Sequence, residues 1–284
     1  MPDNVTVPAI AARKRRAGSS PIVMITAYDA PFARIVDDAG VDVILVGDSV
    51  ATTVLGLEST LQIGIDEMRH HVAAVARARP AALVVADMPW MSYHLDVSDA
   101  LRNAAVLIRA GAEAVKLEGG RRRLAVVQAL VNAEIPVMGH LGLTPQSVHA
   151  IGGMKVQART AEAAQELELD AKALADAGCF AIVLEGVPDA VARRVTASVP
   201  IPTIGIGAGN GCDGQVLVLH DVLGLSPQPR PRFVRRFADL GHIARLAVAE
   251  YAAEVRSGGF PDETESYHAS AELRDALGED DDAR

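Results

Sequence analysis

Ionisable side chains stand at the ends of short apolar runs along much of this chain. Their types are those that bind metal ions, move protons and hold anions. In chain order, the residues that close or follow these runs are Asp29, Asp48 with Ser49, Asp87, Lys116 with Glu118, His140, Glu185 and the glycine-rich segment Gly205–Gly209. Apart from Lys116, the interiors of the runs carry no ionisable group. This asymmetry predicts that the polar side chains gather at one end of a β-sheet, as they do in an active site.

Asp48 and Asp87 each allow two interpretations. Taken alone, either aspartate is explained equally well by an Asx turn or a helix cap. If the two run ends are neighbours, however, the carboxylates repel each other unless a cation lies between them. Such oxygen ligands favour Mg²⁺, which keeps several waters and leaves positions for substrate oxygens. Glu118 would complete the ligand set or hold a metal-bound water, and no histidine and cysteine pattern suggests zinc.

Lys116, His140 and Glu185 could supply the remaining chemistry. Lys116 comes two positions before Glu118, so strand alternation puts both side chains on one face. The lysine could support the carboxylates in an ion pair, grip an anionic substrate or form a Schiff base. His140 could donate a hydrogen bond to a substrate or be a structural histidine. Glu185 ends an apolar run before Gly186 and is a candidate general base.

The apolar runs themselves predict eight strands separated by Ala-rich helices. The predicted strands are Ile22–Thr26, Val43–Val46, Ala82–Ala86, Ala114–Leu117, Ile135–Met138, Ala181–Leu184, Thr203–Ile206 and Val216–Leu219. Nearly continuous apolar strands are typical of parallel sheets that are covered on both faces. Eight such units predict a single (β/α)8 TIM barrel, because a doubly wound sheet would more often carry a dinucleotide fingerprint after its first strand.

The segments outside the strands give further expectations. We expect residues 1–260 to form the barrel domain with an N-terminal extension, and residues 261–284 to form an acidic, solvated tail. The basic run Arg13–Arg16 is expected to be solvated as well. The connections 49–65 and 141–160 are long enough to be functional loops. Gly205–Gly209 could cradle a phosphate or could simply make a tight turn.

Composition excludes several classes of protein. The chain has 284 residues, of which 50% are apolar, and its net charge is −9. An apolar fraction of this size fills a large core and excludes a disordered chain. The acidic balance argues against nucleic acid or an anionic membrane as the main partner, and therefore favours a small substrate. Two cysteines predict no disulfide framework, which favours the reducing cytoplasm, and no apolar run approaches the roughly 20 residues of a membrane span.

The sequence resembles the ketopantoate hydroxymethyltransferase family over roughly residues 20–225. The matching segments are Thr26–Asp29, Gly47–Ser49, Val54–Gly56 with Ser59–Leu61, Ala114–Gly120, Gly139–Ser147, Leu184-Glu185, and Ile204–Gly209 with Asp213–Gln215. The resemblance implies a (β/α)8 barrel that transfers a hydroxymethyl group from 5,10-methylenetetrahydrofolate, a cosubstrate, to 3-methyl-2-oxobutanoate (α-ketoisovalerate). This reaction is the first step of pantothenate biosynthesis, and it implies one Mg²⁺ per subunit.

The resemblance also assigns roles to residues. Asp48 and Asp87 look like metal ligands that help to bind substrate, with Glu118 a close or water-bridged third ligand. Ser49 and Lys116 look like substrate contacts, beside the donor role open to His140, and Glu185 looks like the proton acceptor. The segment Thr144–Thr160 resembles a stretch that covers the site, where we expect a lid, and the family implies a homo-oligomer, a decamer.

Two alternative functions remain at this point. A magnesium-dependent lyase or mutase acting on an α-keto acid would also place carboxylates at strand ends. Such enzymes usually need a cysteine near the mouth, and neither Cys179 nor Cys212 has a suitable position in the sequence. A binding protein with a relic site is disfavoured, because buried charges without a use cost stability.

Overall fold

The computed structural model describes residues 4–14, 20–226 and 231–278. In these ranges the strands are β1 Ile22–Thr26, β2 Val43–Val46, β3 Leu83–Asp87, β4 Ala114–Glu118, β5 Val137–Gly142, β6 Ala181–Glu185, β7 Thr203–Ile206 and β8 Gly214–Leu217. Each strand is parallel to its neighbours, and β1 pairs with both β2 and β8, which closes an eight-stranded barrel in chain order. The predicted TIM barrel is confirmed.

The strands differ from the predicted runs mainly at their ends. β5 extends to Gly142, so His140 lies inside this strand instead of after it. Its backbone pairs with Glu118 on one side and Val183 on the other, since ladder hydrogen bonds do not depend on an apolar side chain. β8 ends at Leu217, two residues earlier than predicted.

Helices and short turns surround the barrel. The helices are α1 Val7–Ala11, α2 Ala30–Asp38, α3 Val50–Thr53, α4 Ile65–Ala76, α5 Val97–Arg109, α6 Leu124–Asn132, α7 Val148–Ile151, α8 Ala161–Asp176, α9 Asp189–Ser198, α10 Leu219–Leu223, α11 Leu240–Ser257 and α12 Ala271–Leu277. The predicted alternation of strand and helix fails once, since residues 207–213 join β7 to β8 without a helix. Gly111 ends the turn after α5 with φ +112°, where a Cβ would lie only 2.4 Å from Ala76 Cβ.

Two apolar layers hold the barrel together. Alternate strand residues such as Val43, Leu83 and Met138 fill the interior, while the other face packs against the helices. The helix α1 covers the amino ends of the strands, where Ile10 is fully buried against the interior cluster. The barrel is therefore plugged at its amino end.

The basic run near the amino terminus departs from the expectation of a solvated segment. Arg13 forms an ion pair with Asp42, just before β2. Lys14 Nζ lies 2.8 Å from Oδ2 of the buried Asp213 carboxylate, just before β8. The prediction was wrong for these two residues, because each meets a carboxylate that is distant in sequence. Arg15 and Arg16 lie outside the described residues.

The carboxyl-terminal segment is exposed. None of the residues of α11 is buried, and the exposed apolar side chains on this helix include Ile243, Leu246, Val248 and Tyr251. Residues 261–278 are almost entirely exposed and include the short helix α12, while the acidic end of the predicted tail, 279–284, lies outside the described residues. Among the helices described, none has the length and apolar character needed to cross a membrane.

Candidate active site

A cavity of about 470 Å³ lies at the carboxyl ends of the strands. All seven residues predicted for the site line it, namely Asp48, Ser49, Asp87, Lys116, Glu118, His140 and Glu185. Strand register explains this convergence, because β3 and β4 pair Asp87 with Lys116 while β4 and β5 pair Glu118 with His140. Asp29 is not among them, since its carboxylate accepts a hydrogen bond from Phe32 N and caps α2.

Asp48 and Asp87 are buried side by side. Asp87 Oδ2 accepts a hydrogen bond of 3.0 Å from the backbone N–H of Asp48. Burial and the charges of Asp87 and Glu118 raise the pKa of Asp48 to about 8. Burial also raises the pKa of Asp87, although Lys116 opposes this change. The positive charge of Lys116 is therefore not enough to keep both carboxylates ionised.

Lys116 is held as a cation. Its ammonium lies 2.7 Å from Asp87 Oδ1, and both side chains are almost fully buried. Burial acts to lower the pKa of Lys116, but the charges of Asp87, Glu118 and Asp48 outweigh it and raise the pKa. An ammonium can hold an anion but cannot attack a carbonyl carbon. The structure thus favours the ion-pair and substrate-binding interpretations over a Schiff base.

His140 lies between two glutamates. Its Nδ1 is 3.3 Å from Glu118 Oε1, and its Nε2 is 3.1 Å from Glu185 Oε2. Burial and Lys116 act to lower the pKa of His140, but its contacts with Glu118 and Glu185 prevail and raise the pKa to about 9. Burial alone would raise the pKa of Glu118, yet His140 and Lys116 reverse this and lower it. His140 thus lies against both carboxylates, while its Nδ1 is also 3.1 Å from Lys116 Nζ.

Two residues outside the predicted set support the charged floor of the cavity from behind. This floor is formed by Asp48, Asp87, Lys116, Glu118, His140 and Glu185. Gln146 Nε2 donates to Asp48 Oδ2 at 2.9 Å, and Gln146 N donates to Glu118 Oε2 at 3.0 Å. The hydroxyl of Tyr93 donates to Gln146 Oε1 at 2.6 Å. Gln146 belongs to the segment Gly139–Ser147 that carries the family resemblance, which was the available signal for it. Tyr93 follows Asp87 on the loop after β3, a position that left open whether it lines the mouth or packs against a neighbouring subunit.

The rest of the cavity lining mixes apolar and polar side chains. Ser49 Oγ lies 2.8 Å from the hydroxyl of Tyr28, at the edge of the charged floor. Pro145, Val148 and Met154, from the segment expected to be a lid, line the wall above it. The wall opposite is formed by residues around β8 and α10, among them Val216, Asp221 and Phe233.

Other candidates from the sequence lie outside this floor. In Gly205–Gly209, a Cβ on Gly207 would lie 2.7 Å from the ring of Phe233, and one on Gly209 would lie 2.5 Å from Asp189 Cβ. Close packing of the backbone accounts for these glycines. Cys179 and Cys212 are buried, and neither lines the cavity.

The described ranges hold no group of three histidine, cysteine, aspartate or glutamate side chains arranged to bind a metal ion. Asp48 and Asp87 remain the two adjacent carboxylates of the floor. Glu118 is directed instead towards Gln146 and His140. Any metal site here would thus rest on two aspartates, with Glu118 further out.

The sequence profile of the family described as ketopantoate hydroxymethyltransferase matches residues 4–263. The 3-methyl-2-oxobutanoate hydroxymethyltransferase of Methylobacterium sp. (strain 4-46) is 56% identical, over 96% of this chain and 94% of its own length. The enzyme of that name from Pyrobaculum islandicum is 59% identical, over 86% of this chain and 93% of its own. Among solved structures, a 2,3-dimethylmalate lyase of the PEP mutase/isocitrate lyase superfamily aligns with a TM-score of 0.58 and 18% identity, over 93% of this chain and 89% of its own. The latter likeness shows the fold alone.

Proposed function

Because this chain belongs to the ketopantoate hydroxymethyltransferase family, we propose that it transfers a hydroxymethyl group from 5,10-methylenetetrahydrofolate to 3-methyl-2-oxobutanoate. The reaction consumes water, gives 2-dehydropantoate (ketopantoate) and tetrahydrofolate, and is the first step of pantothenate biosynthesis. The observation that carries the proposal is the enclosure of paired aspartates, a lysine ammonium and a glutamate in one cavity. These groups suit an α-keto acid that must lose a proton from the carbon next to its carbonyl group.

The chemistry of the floor suits a divalent cation. Four carboxylates and two cationic side chains line it, namely Asp48, Asp87, Glu118, Glu185, Lys116 and His140. With all four carboxylates ionised, two negative charges would lack a cationic partner, and the raised pKa of Asp48 reflects this shortage of positive charge. Asp48 Oδ2 is engaged by Gln146, whereas within the described ranges no donor reaches Asp48 Oδ1. We propose that Asp48 and Asp87 hold one Mg²⁺ per subunit, because Mg²⁺ is usually bound by one or two carboxylates and several waters.

Glu118 takes an outer position in this proposal. Its two carboxylate oxygens face Gln146 N and His140 Nδ1, at 3.0 and 3.3 Å. It would therefore reach a metal through a water. When bound, Mg²⁺ would supply positive charge to the carboxylate and keto oxygens of the substrate, which stabilises the negative charge that develops as the adjacent carbon loses its proton.

The side chains of the floor bind the keto acid and remove its proton. The Lys116 ammonium and the Ser49 hydroxyl bind the oxygens of the keto acid. Glu185 accepts the proton from C3, since its carboxylate lines the cavity and is 14% exposed. His140 contacts Glu185 Oε2 and holds this carboxylate in place. The deprotonated C3 bonds to the one-carbon unit, whose two bonds to folate nitrogens are replaced by the new C–C bond and by the hydroxyl of water. The protons from C3 and from water go to those two nitrogens, and tetrahydrofolate leaves. The rest of the cavity would take the folate cosubstrate, with the loop Thr144–Thr160, which contributes Pro145, Val148 and Met154 to the lining, as a lid.

The test is an assay in which each component is left out in turn. Purified protein with Mg²⁺, 3-methyl-2-oxobutanoate and 5,10-methylenetetrahydrofolate should form ketopantoate, detected by mass spectrometry. Omission of the folate, or addition of a chelator, should abolish the product. A lyase or mutase would instead cleave or rearrange a larger α-keto acid and give no folate-dependent product. The absence of Cys179 and Cys212 from the cavity favours the transferase.

We also propose that the chain forms a homo-oligomer, and the family resemblance gives a decamer as the expected size. The helix α11 supports assembly, because it exposes apolar side chains along its length, including Ile243 and Leu246, each 58% exposed. Exposed apolar surface of this extent is typical of an interface between proteins. Light scattering on the purified protein measures the assembly directly, and a monomer would contradict the proposal.

A further inference from the structure

Gln146 contacts two carboxylates of the floor, those of Asp48 and Glu118. Its side-chain amide contacts Asp48 and its backbone N–H contacts Glu118, at 2.9 and 3.0 Å. The residue is 5% exposed and belongs to a short 3₁₀-helix, Pro145–Ser147, which begins three residues after the end of β5. This turn therefore links the loop Thr144–Thr160 to Asp48, the carboxylate that follows β2.

The donors and acceptors around this residue allow one orientation of the amide. The backbone N–H of Glu118 can only donate, so the Tyr93 hydroxyl accepts from it at 3.1 Å and directs its own hydrogen to Gln146 Oε1 at 2.6 Å. Gln146 Nε2 then faces Asp48 Oδ2 and the carbonyl oxygen of Met88, which are both acceptors. A flipped amide would place oxygen against both acceptors.

We propose that Gln146 is a positioning residue for Asp48 and that Tyr93 fixes the direction of its amide. The amide binds Oδ2 of Asp48 and leaves Oδ1 for a cation. The donor direction is set by the Glu118 backbone N–H, which fixes the Tyr93 hydroxyl and, through it, the Gln146 amide. The inference rests on the proposed function, because it assigns the carboxylate so held to Mg²⁺. Groups that orient ligands in this way typically contribute ~10–100-fold to metal affinity.

The test uses Mg²⁺ alone as the probe and needs no turnover. Gln146→Met keeps the length of the side chain but removes the donor, and it should weaken Mg²⁺ binding by ~10–100-fold in calorimetry. Tyr93→Phe removes a single hydroxyl and should cause a smaller loss, of a few-fold, on the order of one hydrogen bond. The double variant should bind no more weakly than Gln146→Met, because Tyr93 acts through Gln146.

A second readout separates positioning from general support of the fold. Mg²⁺ should raise the urea midpoint of the wild type more than that of Gln146→Met at equal Mg²⁺ concentration, and comparison with and without the ion cancels any effect on folding itself. Gln215→Met is the matched control, since its amide donates to Gly209 O outside the floor and its loss should leave Mg²⁺ binding unchanged.

The outcomes are distinct. Wild-type Mg²⁺ affinity in folded Gln146→Met overturns the inference and leaves the proposed function intact, and additive losses in the double variant overturn the role of Tyr93. Absence of Mg²⁺ binding in the wild-type protein overturns both the inference and the proposed metal site. If Gln146→Met does not fold, Tyr93→Phe decides alone, and undiminished Mg²⁺ affinity in that variant refutes the positioning role.

Discussion

Replacement of Glu185 by glutamine should separate proton removal from binding. In deuterated water with Mg²⁺ and 3-methyl-2-oxobutanoate, but without folate, the wild-type protein should exchange the C3 proton of the keto acid for deuterium. A bound cation and a base suffice for this exchange. Glu185→Gln keeps the volume of the side chain and removes the proton acceptor. The exchange rate should therefore fall while Mg²⁺ and keto acid still bind.

The size of the loss follows from the surroundings of Glu185. The nearest other titratable group is His140, whose Nε2 lies 3.1 Å from Glu185 Oε2 and whose pKa is raised to about 9. A protonated His140 cannot accept the proton, so it could replace Glu185 as the base only if loss of the Glu185 carboxylate let it deprotonate. Removal of a general base costs ~10²–10⁴-fold in rate. This loss corresponds to about 3–5 kcal/mol of activation free energy.

The assay follows the C3 proton signal by NMR over time. Glu113→Gln is the matched control, because Glu113 Oε2 accepts a hydrogen bond from Val84 N near the amino end of the barrel, away from the cavity. That variant should exchange at the wild-type rate. Exchange within a few-fold of wild type in Glu185→Gln would refute the assignment of the base and move that role to His140.

Four further outcomes are expected. Asp48→Asn and Asp87→Asn should each lose measurable Mg²⁺ binding in calorimetry while circular dichroism shows a folded barrel; unchanged affinity in both would rule out the metal site. The pKa of Asp48 is raised from its unfolded value of 3.8 to about 8, so protonation of Asp48 stabilises the metal-free fold at low pH, and this contribution is lost as the pH rises to about 8. The increase in the unfolding midpoint that Mg²⁺ causes should therefore grow between these two pH values. An increase that stays constant with pH would contradict this linkage. Leu246→Glu on α11, a side chain 58% exposed in the single chain, should reduce the assembly mass in light scattering without changing the barrel's circular dichroism, and an unaltered mass would place the interface elsewhere. Removal of residues 261–284 should leave turnover nearly intact, since 261–278 are almost entirely exposed, and loss of activity would show that this segment is structural.

Much of the site could be predicted because a parallel barrel places all strand carboxyl ends at one mouth. Period-two alternation correctly put Lys116 and Glu118 on one face, and both line the cavity. His140 was expected after its strand and lies inside β5, because an apolar run marks only the part of a strand whose side chains are hydrophobic. The chemistry at this position is unaffected, since the side chain still points to the same cavity.

Features that depend on distant partners were not visible in the sequence. Gln146 and Asp48 are 98 positions apart, and their contact requires the turn after β5 to reach across to the end of β2. Arg13 and Lys14 looked like a solvated basic run, yet Arg13 pairs with Asp42, 29 positions away, and Lys14 with Asp213, 199 positions away. In both cases, the partner is determined by barrel closure, which local patterns do not specify.

The central claim is that a one-carbon unit moves from folate to the keto acid in this cavity. The most direct measurement supplies 5,10-methylenetetrahydrofolate labelled with ¹³C at the methylene carbon, together with Mg²⁺ and unlabelled 3-methyl-2-oxobutanoate, and follows the label by NMR. We expect the label to appear in the hydroxymethyl carbon of ketopantoate with the wild-type protein and to stay in the folate with Glu185→Gln. Label that remains in the folate with the wild-type protein, accompanied by cleavage of an α-keto acid, would contradict the account.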